Sequence, residues 1–111
     1  MNQNKIEGQE QFLVMYLARG YQVLGIYPHS IGGMTSSVVD VKMVVATGIN
    51  LLAEAAITAH NHPSGNLQPS EADKALTHKI KDAAALMEIR LVDHIIIAGT
   101  TYFSFADEGL L

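Results

Sequence analysis

The sequence predicts an α/β domain, a mixed β-sheet with helices on its faces. Three observations predict it. Short apolar runs are separated by Gly, Pro and Asp punctuation, as strands and turns are. Two segments carry apolar residues at helical spacing behind a capping side chain. The chain has 111 residues, 49% of them apolar, which suits one compact domain with an aliphatic core.

Residues 1–9 read as a polar lead-in, and residues 10–111 as the domain. "EQFLVMYLAR" is apolar at nearly every position from Phe12 to Leu17, which predicts a strand buried on both faces. "GYQVLGIYP" is a second strand, and Arg19-Gly20 between them predicts a hairpin. "HSIGGMTSS" is a loop, or a loop with a short strand. In that loop, Gly32, Gly33 and Thr35 would border a cleft.

Asp40 can cap a helix whose stripe is Val41, Val44, Val45, Ile49 and Leu52. Valine is a poor helix former, so packing must override propensity here. "AEAAITAH" is a short buried strand arriving at His60. "NHPSGNLQP" is a loop by its His-Pro, Ser-Gly and Gln-Pro steps. The longest helix runs over about residues 70–88, with Leu76, Ile80, Ala83, Ala84 and Met87 as its stripe. "IRLVDHIIIAG" is a central strand, and "TYFSFADEG" is a strand or turn that closes the domain. The expected order is β-β-α-β-α-β-β.

Composition excludes several functions. Net charge is −4, and the seven Lys and Arg do not cluster, which argues against a basic groove for nucleic-acid phosphates. Without cysteine there is neither a disulfide nor a thiolate zinc site. The same absence removes the nucleobase-deaminase pattern, and HExxH does not occur. The start "MNQNKIEGQEQ" has no apolar signal region, and no apolar run approaches the roughly 20 residues that span a bilayer. The expected location is the cytoplasm, with no membrane contact.

The chemistry concentrates in "AHNHPSGNLQPSEAD", residues 59–73. One reading is purely structural. Ser70-x-x-Asp73 forms a capping box, and His60 and His62 are polar residues at a strand end. The other reading is a metal site. Residues i and i+2 of a strand point to one face, so His60 and His62 aim both imidazoles at one point. Asp73, one turn into the next helix, can supply a carboxylate there. Two histidines and a carboxylate leave an open position for water on zinc.

His60-x-His62 followed by Ser70-x-x-Asp73 resembles the JAMM motif of the JAB/MPN metalloprotease superfamily. "EQFLVMYL", "AHNHPSGN", "LVDHIII" and "YFSFADEGLL" resemble its RadC-like branch, so the likeness covers residues 9–111. The resemblance implies a three-layer α/β/α fold related to cytidine deaminases. It implies one Zn²⁺ per chain, held by His60, His62 and Asp73. It implies Glu10, two residues before Phe12, as general base, and Ser70 as a hydrogen-bond donor to the oxyanion or an orienter of water. Glu7 and Glu54 are the competing bases, the first in the loose lead-in and the second facing solvent.

The implied function is a zinc metallopeptidase or isopeptidase acting on a peptide or isopeptide substrate. Two alternatives stand beside it. One is a DNA-repair or recombination factor, the label the RadC-like branch carries, acting with nucleic acid or a partner complex. The other is a noncatalytic interaction module stabilised by zinc. The helix-hairpin-helix region that often precedes this domain is not in the sequence, which weakens a direct role on DNA. Edge strands beside the hairpin allow a homodimer.

Among other residues, His94 is expected to be structural, or a partner behind a zinc-bound imidazole, a task for which Asp93 looks better suited. His29 and His78 read as surface residues. Ser64, Gly65 and Asn66 read as shapers of the loop, with Asn66 a turn former first and a substrate contact second.

Overall fold

A computed structural model describes residues 10–31 and 39–111. The elements are β1 (Gln11–Leu17), β2 (Val23–Ile31), α1 (Val41–Asn50), β3 (Ala55–Asn61), α2 (Glu71–Leu86), β4 (Arg90–Ala98) and β5 (Thr101–Ser104). They follow the expected order. The five strands form one mixed sheet in the order β2-β1-β3-β4-β5. β1 is antiparallel to both β2 and β3, β3 runs parallel to β4, and β5 returns antiparallel. This is an α/β fold consistent with the JAB/MPN type.

Both described helices lie on the same sheet face. Phe12, Val14 and Tyr16 of β1 share one buried cluster with Val44 of α1 and with Ile80 and Ala84 of α2. A third layer over the opposite face is not among the described residues. On that face Leu13 and Met15 are only half-buried, so β1 alternates rather than being closed on both sides. An unbroken apolar run could not reveal which face the helices cover.

The hairpin turns through Arg19–Tyr21, where Gly20 takes a positive φ of 80°. Asp40 caps α1 by accepting a bond from the Lys42 N–H at 2.9 Å. The valine-rich helix holds because Val44 is buried in the cluster shared with β1 and α2, with Val41 and Val45 packed against that cluster, whereas Ile49 is exposed. The Tyr16 hydroxyl donates to the Val44 carbonyl at 2.6 Å, and its proximity to His29 Nε2 (3.0 Å) draws that half-buried histidine inward. His29 is therefore not simply a surface residue. Burial foremost pushes the Tyr16 phenol up to about 12. The expected loop residues Gly32, Gly33 and Thr35 lie outside the described residues. Among the described residues no helix is long and apolar enough to cross a membrane.

Leu52 does not continue the α1 stripe. It lies past the helix end with φ at 55°, and it is 82% exposed. The Ala53 N–H closes on the Gly48 carbonyl and the Leu52 N–H on that of Ile49. That is a Schellman-type ending with a left-handed residue where glycine is preferred. Leu52→Gly is therefore expected to stabilise the fold by up to about 1 kcal/mol, because a left-handed leucine is strained and this side chain buries little. Urea denaturation of the variant beside the parent measures it. An unchanged or lower midpoint contradicts the assignment.

Candidate metal centre

The site is built where β3 ends. β1 and β3 pair with Phe12 opposite His60. Continuing that register by two residues puts Glu10 opposite His62. Directly opposed residues of an antiparallel pair share a face, so Glu10, Phe12, His60 and His62 project together. The Gln11 N–H donates to Asn61 Oδ1 at 2.6 Å, which ties the strands together at this end. The His62 N–H continues the pairing to the Ile97 carbonyl at 2.8 Å, so the chain stays extended through the second histidine.

The loop then returns the chain to the strand end. Gly65 takes a positive φ of 86°, and its N–H closes on the His62 carbonyl. Asn66 accepts from the Gln68 N–H with its side chain. Its turn-forming role is thus met, and its backbone carbonyl has a further use. His62 Nδ1 lies 2.6 Å from it. A carbonyl only accepts, so His62 carries its proton on Nδ1 and presents a lone pair at Nε2.

Helix α2 starts at the same place. The Asp73 N–H donates to Ser70 Oγ at 3.0 Å, and the Ser70 N–H donates to Asp73 Oδ2 at 2.8 Å. This is a complete capping box. The same Asp73 carboxylate faces both imidazoles. Oδ1 is 3.4 Å from His60 Nε2, and Oδ2 is 3.3 Å from His62 Nε2. The capping box therefore leaves the Asp73 carboxylate facing both imidazoles, so its role at the helix start is compatible with a role at a metal.

His60 Nε2 and His62 Nε2 stand 2.8 Å apart. Glu10, His60 and His62 each offer a ligand atom, all within 4.8 Å of one another, and this group could hold a metal ion. Two carboxylates thus flank the imidazole pair, Asp73 from the helix and Glu10 from β1. Burial opposes ionisation of Asp73. Hydrogen bonds from His60 and from the Ser70 N–H outweigh it and hold the carboxyl well below the usual range. Ser70 is exposed at the rim. The other base candidates stand apart. Glu54 lies 3.9 Å from Arg19 on the surface, and Glu7 lies outside the described residues. A cleft of about 540 Å³ reaches the same strand end, but Gln11, Leu13, Ala59, Asn61 and Ile97, which line it, alternate onto the sheet face opposite to the one that carries Phe12 and the imidazoles.

Behind His60 sits His94, not Asp93. His94 Nε2 is 2.7 Å from His60 Nδ1. Alternation along β4 sends Asp93 to the other face. There it accepts from the His94 and Ala106 N–H groups and from the Ser104 hydroxyl, and so anchors the C-terminal turn. The parity of a single strand position decides between the two residues. His78 stays exposed and meets the Leu110 carbonyl.

A family model described as the RadC-like JAB domain matches residues 1–110. The chain belongs to the RadC-like JAB domain family. It is similar to a UPF0758 protein of Flavobacterium johnsoniae, 43% identical over 101 residues, which is 91% of this chain and 44% of that protein. A UPF0758 protein of Porphyromonas gingivalis is 43% identical over 93% of this chain and 46% of its own length. UPF0758 protein YfjY of Escherichia coli is 39% identical over 93% of this chain and 64% of its own length. The chain thus spans about half the length of the first two relatives.

The buried imidazole makes the metal-free fold acid-sensitive. Burial foremost, then neighbouring His60, pulls His94 down to about 3. In the unfolded chain a histidine titrates near pH 6.5. Between those values the unfolded chain binds a proton that the folded chain refuses. The stability that depends on neutral His94 is full above about pH 6.5 and drains as pH falls towards 3. Urea denaturation of chelator-treated protein at pH 7 and pH 4.5 should show lower stability at pH 4.5. His94→Gln should make that difference smaller, and an equal difference contradicts the assignment.

Proposed function

We propose that this domain is a zinc-dependent hydrolase of metallopeptidase or isopeptidase type, acting on a peptide or isopeptide carbonyl. One observation carries the reading. Two imidazole nitrogens and two carboxylates from three separate elements converge at one end of the sheet. Membership of the JAB domain family supports it.

The donor set suits zinc, which takes imidazole nitrogen and carboxylate oxygen in sites with a position left open. His60, His62 and Asp73 would hold the ion. Asp73 is the better third ligand because it is buried and its carboxylate is fixed by the capping box. The chemistry a bound zinc would supply is Lewis acidity towards water and towards a carbonyl oxygen.

The chain's own residues supply the rest. Glu10 lies opposite His62 on the half-buried end of β1, where its carboxylate can accept a proton from attacking water and return it to the leaving nitrogen. The Ser70 hydroxyl accepts from the Asp73 N–H, so its own proton remains available for a developing oxyanion.

Glu10→Gln separates catalysis from metal binding. Zinc-loaded parent, chelator-treated parent and zinc-loaded Glu10→Gln are compared on peptide and isopeptide-linked substrates. The parent is expected to cleave, chelation to abolish cleavage, and Glu10→Gln to lower it by about 10²–10⁴-fold with zinc retained. Cleavage that survives chelation, or a Glu10→Gln variant as active as the parent, contradicts the mechanism.

A further inference from the structure

Two polar side chains, His94 and Thr58, run in a row behind the histidine pair. His94 is 1% exposed and lies between the Phe12 ring, stacked at 5.7 Å, and the Phe105 ring, edge-on at 5.0 Å. Its Nε2 is 2.7 Å from His60 Nδ1, and its Nδ1 is 2.6 Å from Thr58 Oγ1. Thr58 is fully buried and stands opposite His94 in the parallel β3–β4 pairing. Thr58 and His60 are two apart on β3, so both face the imidazole that joins them.

We infer that Thr58 and His94 form a reversible hydrogen-bond wire that sets which nitrogen of His60 is free to bind metal. The inference rests on the proposed reading of His60 as a ligand. The geometry admits two directions, and both hold the same number of protons. In the first, the Thr58 hydroxyl donates to His94 Nδ1, and His94 Nε2–H donates to His60 Nδ1. His60 Nε2–H then points towards His62 Nε2 at 2.8 Å and Asp73 Oδ1 at 3.4 Å, and His62 Nδ1–H donates to the Asn66 carbonyl at 2.6 Å. Every link is satisfied, and no lone pair on His60 is left for a metal.

In the second direction the row behind His60 is reversed. His60 carries its proton on Nδ1 and donates to His94 Nε2. His94, neutral in its apolar setting, then carries its single proton on Nδ1 and donates to Thr58 Oγ1. His60 Nε2 is now a lone pair beside that of His62. Two lone pairs 2.8 Å apart, faced by the Asp73 carboxylate, suit a shared cation. Only a group that both donates and accepts can terminate both directions, and a hydroxyl is such a group. Thr58 is therefore a positioning residue, two positions from His60 and acting on it only through His94.

The test uses zinc alone as the probe. Imidazole ¹⁵N spectra of the zinc-loaded protein should show His94 protonated on Nδ1 and bare on Nε2. Protonation on Nε2 overturns the inference. Chelator competition then gives zinc affinity. Thr58→Val keeps the shape but cannot accept, and should bind zinc about 10–100-fold more weakly, the usual cost of losing a partner behind a ligating histidine. Thr58→Ser should bind close to the parent, which a purely packing role would not explain. Equal affinity in parent and Thr58→Val overturns the wire alone. A parent that takes up no zinc overturns the metal reading and the wire with it. Should Thr58→Val not fold, the spectrum of the parent still decides.

Discussion

The antiparallel register of β1 against β3 is the constraint on which the site depends. Phe12 opposite His60 fixes everything beyond it. Side chains alternate with a period of two, so a slip of one residue would send Glu10 and both histidines to opposite faces. The register is secured on the buried side, where Phe12, Val14 and Tyr16 meet the helices, because a slip would also expose them. The same core that stabilises the fold therefore aims the chemistry.

The second requirement is that α2 begins at the strand end. Its start has backbone N–H groups to satisfy, and the Ser70–Asp73 capping box satisfies two of them, those of Ser70 and Asp73. Asp73 serves the helix with one edge of its carboxylate while both oxygens stay within 3.4 Å of an imidazole nitrogen. Helix initiation and site assembly thus share one side chain. The third support is the parallel β3–β4 pairing, which sets Thr58 opposite His94. It delivers a buried imidazole to the back of His60, so the orientation of that side chain is held by the sheet rather than by a loop.

Much of this was legible in the sequence, for physical reasons that differ by residue. His60 and His62 share a face because any strand repeats every two residues. Ser70 and Asp73 announce a helix start by type and spacing. Glu10 was legible only through the family resemblance, since nothing in the chain states which strand lies beside β3. Other features had no signal to read. The choice of His94 over Asp93 depends on strand parity, and the chain does not declare it within an apolar run. The carbonyl that orients His62 belongs to the backbone of Asn66, and a backbone group leaves no mark on residue type. Leu52 keeps the helical spacing of the α1 stripe by coincidence, since it is an exposed leucine past the helix end.

The central claim is that the end of β3 is a metal centre. Elemental analysis tests it most directly, on protein purified without chelator or metal-affinity resin and run beside a His60→Ala/His62→Ala variant. The account predicts about one zinc per chain in the parent and little in the variant. No metal in the parent after incubation with zinc, or equal metal in both proteins, would contradict it.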